Sequence, residues 1–236
     1  MLDCQPSALG VEALDNPVLS SINANWKAVA ERVGAAHALP EAMGPFAAMD
    51  EGAPFAADDL TLLVAARTSP VLVVHQHEIM VPRGLKELNR FRGVQLVPAQ
   101  RLSTDHDLVF DTLREADAAE MLQLAQMTQP GPFAMRTHQL GDFIGLRAGG
   151  ALVAMAGQRM GFAEWIEISA VCVHPDFRKR GYARQLVKAM VERIYQSGAK
   201  PFLHTFIDNT VAIDLYRSMG FEIRTEMNIS QMAAER

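Results

Sequence analysis

The run EISAVCVHPDFRKRGYAR, residues 167–184, leaves the chain few ways to fold. Ile168, Ala170, Val171, Cys172 and Val173 make a short apolar stretch without a turn residue, the pattern of a buried strand. Pro175 ends that strand, because it has no N–H to give to a ladder. Beyond Gly181 the apolar residues Ala183, Leu186, Val187, Met190, Val191 and Ile194 follow helical spacing. A strand that passes through a basic, glycine-bearing turn into a helix start is suited to hold a phosphate. The first N–H groups of a helix lack intrahelical partners, the helix dipole favours negative charge there, and Gly181 lets the backbone come close. Neither GxxxxGK[ST] nor GxGxxG occurs in the chain, so the turn is not one of the two common nucleotide cradles.

With 49% apolar residues among 236, the chain can bury a sizeable core, as one large domain or two small ones. A net charge of −5 argues against nucleic acid or an anionic membrane as the main partner. Arg178, Lys179 and Arg180, with Arg184 and Lys188 beyond them, then form a local positive patch on an acidic protein. A small polyanion would explain it; a solvated helix face is the plain alternative. Cys4 and Cys172 imply no disulfide framework. No run reaches the ~18 apolar residues of a membrane span, and the N-terminus lacks a basic region followed by an apolar core, so a soluble, cytoplasmic protein is expected.

Residues 1–105 are expected to form an N-terminal α/β subdomain of unknown role. Residues 17–33 are spaced as one helix stopped by Gly34, followed by a connection rich in Ala, Pro and Gly. Residues 60–66 and 71–75 read as a strand hairpin through Thr68, Ser69 and Pro70, and residues 94–97 as a third strand ended by Pro98. His75 and His77 share a strand face, but no third ligand stands nearby on it. Ordinary strand histidines are the better reading, and no metal is expected.

The rest of the chain, residues 106–236, is more regular and reads β-α-β-β-β-α-β-α-β. Residues 108–110 suggest a strand, and Asp117-x-x-Glu120 a capping box that starts a helix. Strands at 143–147 and 152–159 flank the Gly149-Gly150 turn. After the 167–173 strand and its helix come a strand at 202–207, a helix from Asn209 to Met219 stopped by Gly220, and closing strands at 221–224 and 227–229. Arg178-x-x-Gly181-x-Ala183 resembles the pyrophosphate-binding R/Q-x-x-G-x-G/A signature of the GNAT superfamily of acyl-CoA-dependent N-acetyltransferases. Asn209-x-x-Ala212-x-x-Leu215-Tyr216-x-x-x-Gly220-Phe221 resembles a second element of that family, N-x-x-A-x-x-[LF]-Y-x-x-x-G-F. An amphipathic helix with a glycine cap would explain Leu215 and Gly220, but not both elements in the family's order. The resemblance implies an α/β (α+β) GNAT fold over residues 106–236, with a mixed central sheet flanked by helices.

It also implies a chemistry: transfer of an acetyl group from acetyl-CoA to a primary amine by direct attack, through a tetrahedral intermediate, without a metal. By resemblance the strands at 167–173 and 202–207 splay apart to admit the pantetheine arm. N–H groups of Lys179, Arg180, Gly181, Tyr182, Ala183 and Arg184, with the Arg178 side of the turn, would hold the pyrophosphate. The backbone of Val171, Cys172 and Val173 would pair with the pantetheine amides like an added strand. Asn209, Ala212 and Tyr216 belong to the second element, whose tyrosine is assigned the role of acid: a phenol of pKa ~10 can protonate a departing thiolate of pKa ~8.5. Glu167 stands eleven residues before Arg178, the place of the glutamate base in the histone-acetylating branch. Alternation puts it on the strand face of Ser169, Val171 and Val173, where apolar neighbours would raise its pKa. Glu164, His174, His204 and Asp208 also stand as candidate bases, and an amine can enter already neutral.

A non-catalytic acyl-CoA-binding or regulatory module on the same fold is the competing reading; a nucleotide-binding domain lacks any kinase or Rossmann signature. The acceptor pocket would be built by residues 128–140, 158–165 and parts of 1–105. These hold Phe133, Met135, Met160, Phe162 and Trp165 without an acidic cluster, which disfavours a polyamine. A small-molecule or peptide amine is the expected partner, and a homodimer is left open.

Overall fold

The computed structural model describes residues 11–235, so Cys4 lies outside the described residues. The chain runs α1 (Pro17–Ile22), β1 (Glu31–Val33), β2 (Ala36–Ala38), β3 (Ala47–Met49), α2 (Ala56–Ala65), β4 (Val71–His75), β5 (Leu85–Pro98) and β6 (Asp111–Leu113). It continues α3 (Ala118–Thr128), β7 (Phe143–Ala148), β8 (Ala151–Phe162), β9 (Trp165–Val173), α4 (Tyr182–Gln196), β10 (Lys200–Phe206), α5 (Thr210–Arg217) and β11 (Phe221–Ala234). β1, β2 and β3 form a small sheet; the other eight strands form one large sheet in the order β4-β11-β5-β10-β9-β8-β7-β6. β9 and β10 are parallel and their neighbours pair antiparallel, which gives the expected mixed sheet.

Helices cover both faces of this sheet, so its central strands read as nearly continuous apolar runs. In β8, Ala154 and Ala156 belong to the core under α4 and α5, with Leu186, Val187, Met190 and Ile213, while Met155 packs under α3 with Met121 and Leu124. Two further clusters extend the same side as the small sheet. Trp26, Phe46, Met160, Trp165 and Phe202 gather behind α1, and Leu60, Leu63, Val71 and Met232 behind α2.

Strands on both sides of residues 105 and 106 share the large sheet, because β4 and β5 pair with β11 and β5 pairs with β10. The helix expected over 17–33 is confined to Pro17–Ile22. Beyond Asn23 the chain turns so that the Trp26 indole N–H reaches the Arg159 carbonyl at 3.0 Å and Asn25 Oδ1 takes the Gly161 N–H at 3.1 Å. Those tertiary bonds outweigh a helical spacing of apolar residues. Residues 60–66, expected as a strand, lie mostly in α2, where Leu60, Leu63 and Val64 are buried at helical intervals. The 68–70 turn therefore joins a helix to a strand, and Glu41 ties it down through the Thr68 N–H at 2.8 Å and hydroxyl at 2.7 Å.

β5 grows well beyond 94–97 because the two expected closing strands are one, β11, which pairs with it from Phe221↔Pro98 to Ala234↔Leu85. A bulge between Ile223 and Thr225 accounts for the break in pattern. Residues 108–110 are not a strand; pairing starts at Asp111. Nor do Asp117 and Glu120 form a capping box. Their carboxylates take Arg147 at 2.6 and 2.7 Å, and Asp117 also accepts from the Arg114 N–H. His75 accepts at Nδ1 from the His77 N–H, and among the described residues no group of three or more His, Cys, Asp or Glu could hold a metal ion. No helix among the described residues is long and apolar enough to cross a membrane.

Candidate active site

The site is made by two strands that stop pairing. β9 and β10 run side by side only through Lys200↔Trp165, Pro201↔Ile166 and Phe202↔Glu167. Past that point the β10-facing edge of β9 has no strand of the described residues against it, as expected of splayed strands. On its other edge the pairing of β9 to β8 jumps from Ser169↔Gly157 to Cys172↔Met155, and Ala170 stands at the jump with φ +54. This bulge turns the following side chains over. Ile168, Val171 and Val173 pack toward α4, whereas Ala170 and Cys172 pack beneath α3. Strict alternation had put Glu167 on the face of Val171 and Val173; the bulge removes it from that face.

Between the parted strands lies a cleft of about 1060 Å³ including its open mouth. Ser169, Ala170 and Val171 wall one side, and His204, Thr205 and Phe206 the other. Asn209, Ala212 and Tyr216 close one end, while Phe46, Leu72, Val74, Arg159 and Met160 close the opposite one. The second motif works here as local structure. Asn209 caps α5 by accepting the Ala212 N–H at 3.3 Å, which fixes the helix so that residues 209, 212 and 216 share the cleft face. Tyr216 is buried, and burial pushes its phenol up to about 12. Its ring stands edge-on to Phe221, and among the described residues no group takes its hydroxyl.

The basic turn lies where β9 leads into α4. A short 3-10 turn, Pro175–Phe177, follows the strand. Lys179 at φ +61 and Gly181 at φ +81 then coil the backbone before the first helical bond, Gln185 N–H to the Gly181 carbonyl. The N–H groups of Tyr182, Ala183 and Arg184 therefore precede any i→i−4 bond, and no side chain caps them. Arg178 donates to the Val173 carbonyl, Arg180 lies over the Phe177 ring and Arg184 donates to the Ser218 hydroxyl at 2.6 Å. Among the described residues none of these cations is paired with a carboxylate, so the turn keeps its positive charge. A free strand edge leading to such a turn fits the amides and the diphosphate of an acyl-CoA. Cys172 can contribute only backbone: its thiol is buried under α3, and burial pushes it up to about 11.

Glu167 differs from expectation. It is 1% exposed, but its neighbours are not apolar. Arg159 grips it in a fork, Nε at 2.9 Å and Nη2 at 2.8 Å, and His204 Nδ1 lies 2.8 Å from Oε1. Burial alone would raise the carboxyl; the Arg159 charge and the bonds from His204 and Arg159 outweigh it and hold the group at about 2. Glu167 is not part of the cleft wall either; Arg159 and His204 are. The other carboxylate candidates are also elsewhere, with Glu164 paired to Lys200 at 2.9 Å and Asp208 off the wall. His174 caps the 3-10 turn by accepting the Asp176 N–H.

Sequence reasoning missed Arg159 and Gln95. Gln95 is fully buried and donates to His204 Nε2 at 3.0 Å and to the Leu14 carbonyl at 2.9 Å. Arg224 Nη1 donates to its carbonyl oxygen and so fixes which way the amide points. In the sequence Gln95 shows only as a polar residue between Val94 and Leu96, and Arg159 only as part of the 158–165 segment expected to build the acceptor pocket.

Residues 143–229 match the model of the FR47-like protein family. Over 121 residues the chain is 32% identical to the N-alpha-acetyltransferase RimI of Mycobacterium tuberculosis, which covers 47% of this chain and 75% of that one. It is 30% identical over 136 residues to a Mycobacterium leprae protein, covering 52% of this chain and 37% of that protein's length. A solved structure of a GNAT-family protein from Novosphingobium aromaticivorans superposes with a TM-score of 0.87 at 32% identity, over 94% of this chain and 99% of that one. With relatives this similar over most of their own length, the chain belongs to the GNAT family of N-acetyltransferases.

Proposed function

We propose that the protein transfers an acetyl group from acetyl-CoA to a primary amine by direct attack of the amine nitrogen. The observation that carries this reading is the cleft between β9 and β10, lined by Asn209, Ala212 and Tyr216 and, around Arg159, by the apolar side chains of Phe46, Leu72, Val74 and Met160. Acetyl-CoA supplies an acyl thioester when bound. The N–H groups from Lys179 to Arg184 would hold its diphosphate, helped by the uncompensated cations of the turn. The free edge of β9 at Val171, Cys172 and Val173 would take the pantetheine amides as an added strand, and an N–H on that edge would face the developing oxyanion. Tyr216 would give its proton to the leaving sulfur. Glu167 is better read as a positioning residue than as the base, because both of its oxygens are already engaged.

Titration calorimetry with acetyl-CoA, followed by thiol release across an amine panel, tests the reading. Tight binding without release for any amine would favour the non-catalytic module. Gly181→Val probes the turn directly. At φ +81 a branched residue is strained, and its side chain would stand where the diphosphate would come close, although no atom of the described residues lies within 4 Å of an added Cβ. A loss of at least about tenfold in acetyl-CoA affinity is expected, about 1.4 kcal/mol. An unchanged Kd in a folded variant removes the turn from the site.

A further inference from the structure

The cleft wall carries three titratable side chains among the described residues: Arg159, His204 and Tyr216. No carboxylate of the described residues faces it. Glu167, behind the wall, has both oxygens occupied by Arg159 and His204. His204 is occupied at both nitrogens: Nδ1 lies against Glu167, and Nε2 takes an N–H of Gln95. Gln95 cannot turn its oxygen to His204, because Arg224 holds that oxygen and the Leu14 carbonyl holds the amide nitrogen. A proton added at Nε2 would meet a donor. Arg224 is itself paired with Asp15, so this network is closed from β8 across to β11.

A protonated amine entering this cleft would find, among the described residues, no anion to pair with, a guanidinium at the wall, and no vacant lone pair on a base. The rest of the acceptor end is apolar. Phe46, Leu72, Val74, Met160 and Ile229 line it, and Phe91 and Phe206 form a partly exposed lip with ring centroids 5.6 Å apart. We infer that the acceptor is an amine already uncharged near neutral pH, carried on an apolar body, and that no protein base removes a proton from it before attack. This rests on the transferase reading above.

The protons balance without a base. The neutral nitrogen bonds to the acyl carbon, the carbon–sulfur bond breaks with its electron pair on sulfur, and Tyr216 gives that sulfur a proton. The proton lost by nitrogen restores the phenol, leaving an amide and a thiol. An ammonium would bring one proton more, with nothing in the cleft to receive it.

An α-amine titrates near 7.7–8.0 and an alkylamine such as a lysine side chain near 10.4, so at pH 7 the neutral fractions differ roughly 300-fold. Three acceptors with similar apolar bodies separate the cases: phenylalaninamide, a hexapeptide amide beginning with phenylalanine, and 3-phenylpropylamine. Thiol release at saturating acetyl-CoA would give kcat/KM from pH 6 to 10. At pH 7 the better α-amine should exceed 3-phenylpropylamine at least about tenfold, part of the 300-fold being offset by the greater nucleophilicity of the more basic amine. The 3-phenylpropylamine rate should climb tenfold per pH unit through pH 9, while the α-amine rates level near their own pKa. A hexapeptide advantage would identify a polypeptide N-terminus as the source, and an amide advantage a small molecule; both support the inference. Equal rates at pH 7, or one inflection common to all three amines, would overturn it and leave the transferase reading intact. No release from any amine, with acetyl-CoA still bound, would overturn both.

Discussion

Replacing Glu167 by alanine is expected to cost about 3–5 kcal/mol of stability, the penalty for leaving one partner of a buried ion pair alone. Arg159 would keep its charge at 9% exposure, its guanidinium over the Phe46 ring, and His204 Nδ1 would lose its acceptor. Urea melts of the wild type and of Glu167→Ala, Arg159→Met and the double variant form the cycle that checks this. The double variant should recover much of the loss, since an apolar pair avoids the desolvation that the charges suffer. A loss below about 1 kcal/mol for Glu167→Ala would mean that the pair is not holding the strands at their parting point. The same group predicts a pH dependence. Its carboxyl is lowered from its ordinary 4.5 to about 2 in the folded protein. The stabilisation is therefore fully present above about pH 4.5 and is lost as pH falls toward 2, because the unfolded chain binds the proton first. Glu167→Gln should flatten that acid limb.

The position of this ion pair explains why some of the site could be read from sequence and some could not. The basic turn, the helix after it and the Asn209 cap are local: each is specified by residues within one or two turns of chain, through Gly181, the apolar spacing of α4 and the Asn209 side chain. The strand–turn–helix order at the basic turn and a helix beginning near Asn209 agree with the structure, which adds the role of Asn209 as the cap. The environment of Glu167 is not local. Arg159 reaches it through the β8–β9 hairpin, His204 through a parallel neighbour, and Gln95 closes the network from a strand more than a hundred residues away in the chain. No periodicity carries that information. The bulge at Ala170 is a similar case, because nothing about an alanine in an apolar run announces φ +54. The first hundred residues were the least legible part for the same reason. There β4 and β5 depend on β11 for pairing, and the end of α1 depends on bonds that Asn25 and Trp26 make to β8.

Tyr216→Phe should lower kcat by about 100-fold or more, the low end of what a positioned proton donor contributes, while changing acetyl-CoA affinity less than about threefold. Two features of the residue allow the effect to be attributed to chemistry. Its hydroxyl has no partner among the described residues, so removing it breaks no internal hydrogen bond, and the ring keeps its place against Phe221. Thermal stability should therefore be nearly unchanged. The phenol, pushed up to about 12 by burial, remains protonated throughout the working range, so activity should show no loss near pH 10 that belongs to this residue. At that pKa the group is a weak acid beside a thiol of about 8.5. Full transfer before the carbon–sulfur bond breaks would be uphill; the proton should move as charge develops on sulfur. It follows that the defect should shrink for thioesters whose leaving thiol is more acidic than coenzyme A. Pre-steady-state release measured with acetyl-CoA and with such an activated thioester would check this. A kcat that Tyr216→Phe leaves unchanged on acetyl-CoA would return Tyr216 to a packing role.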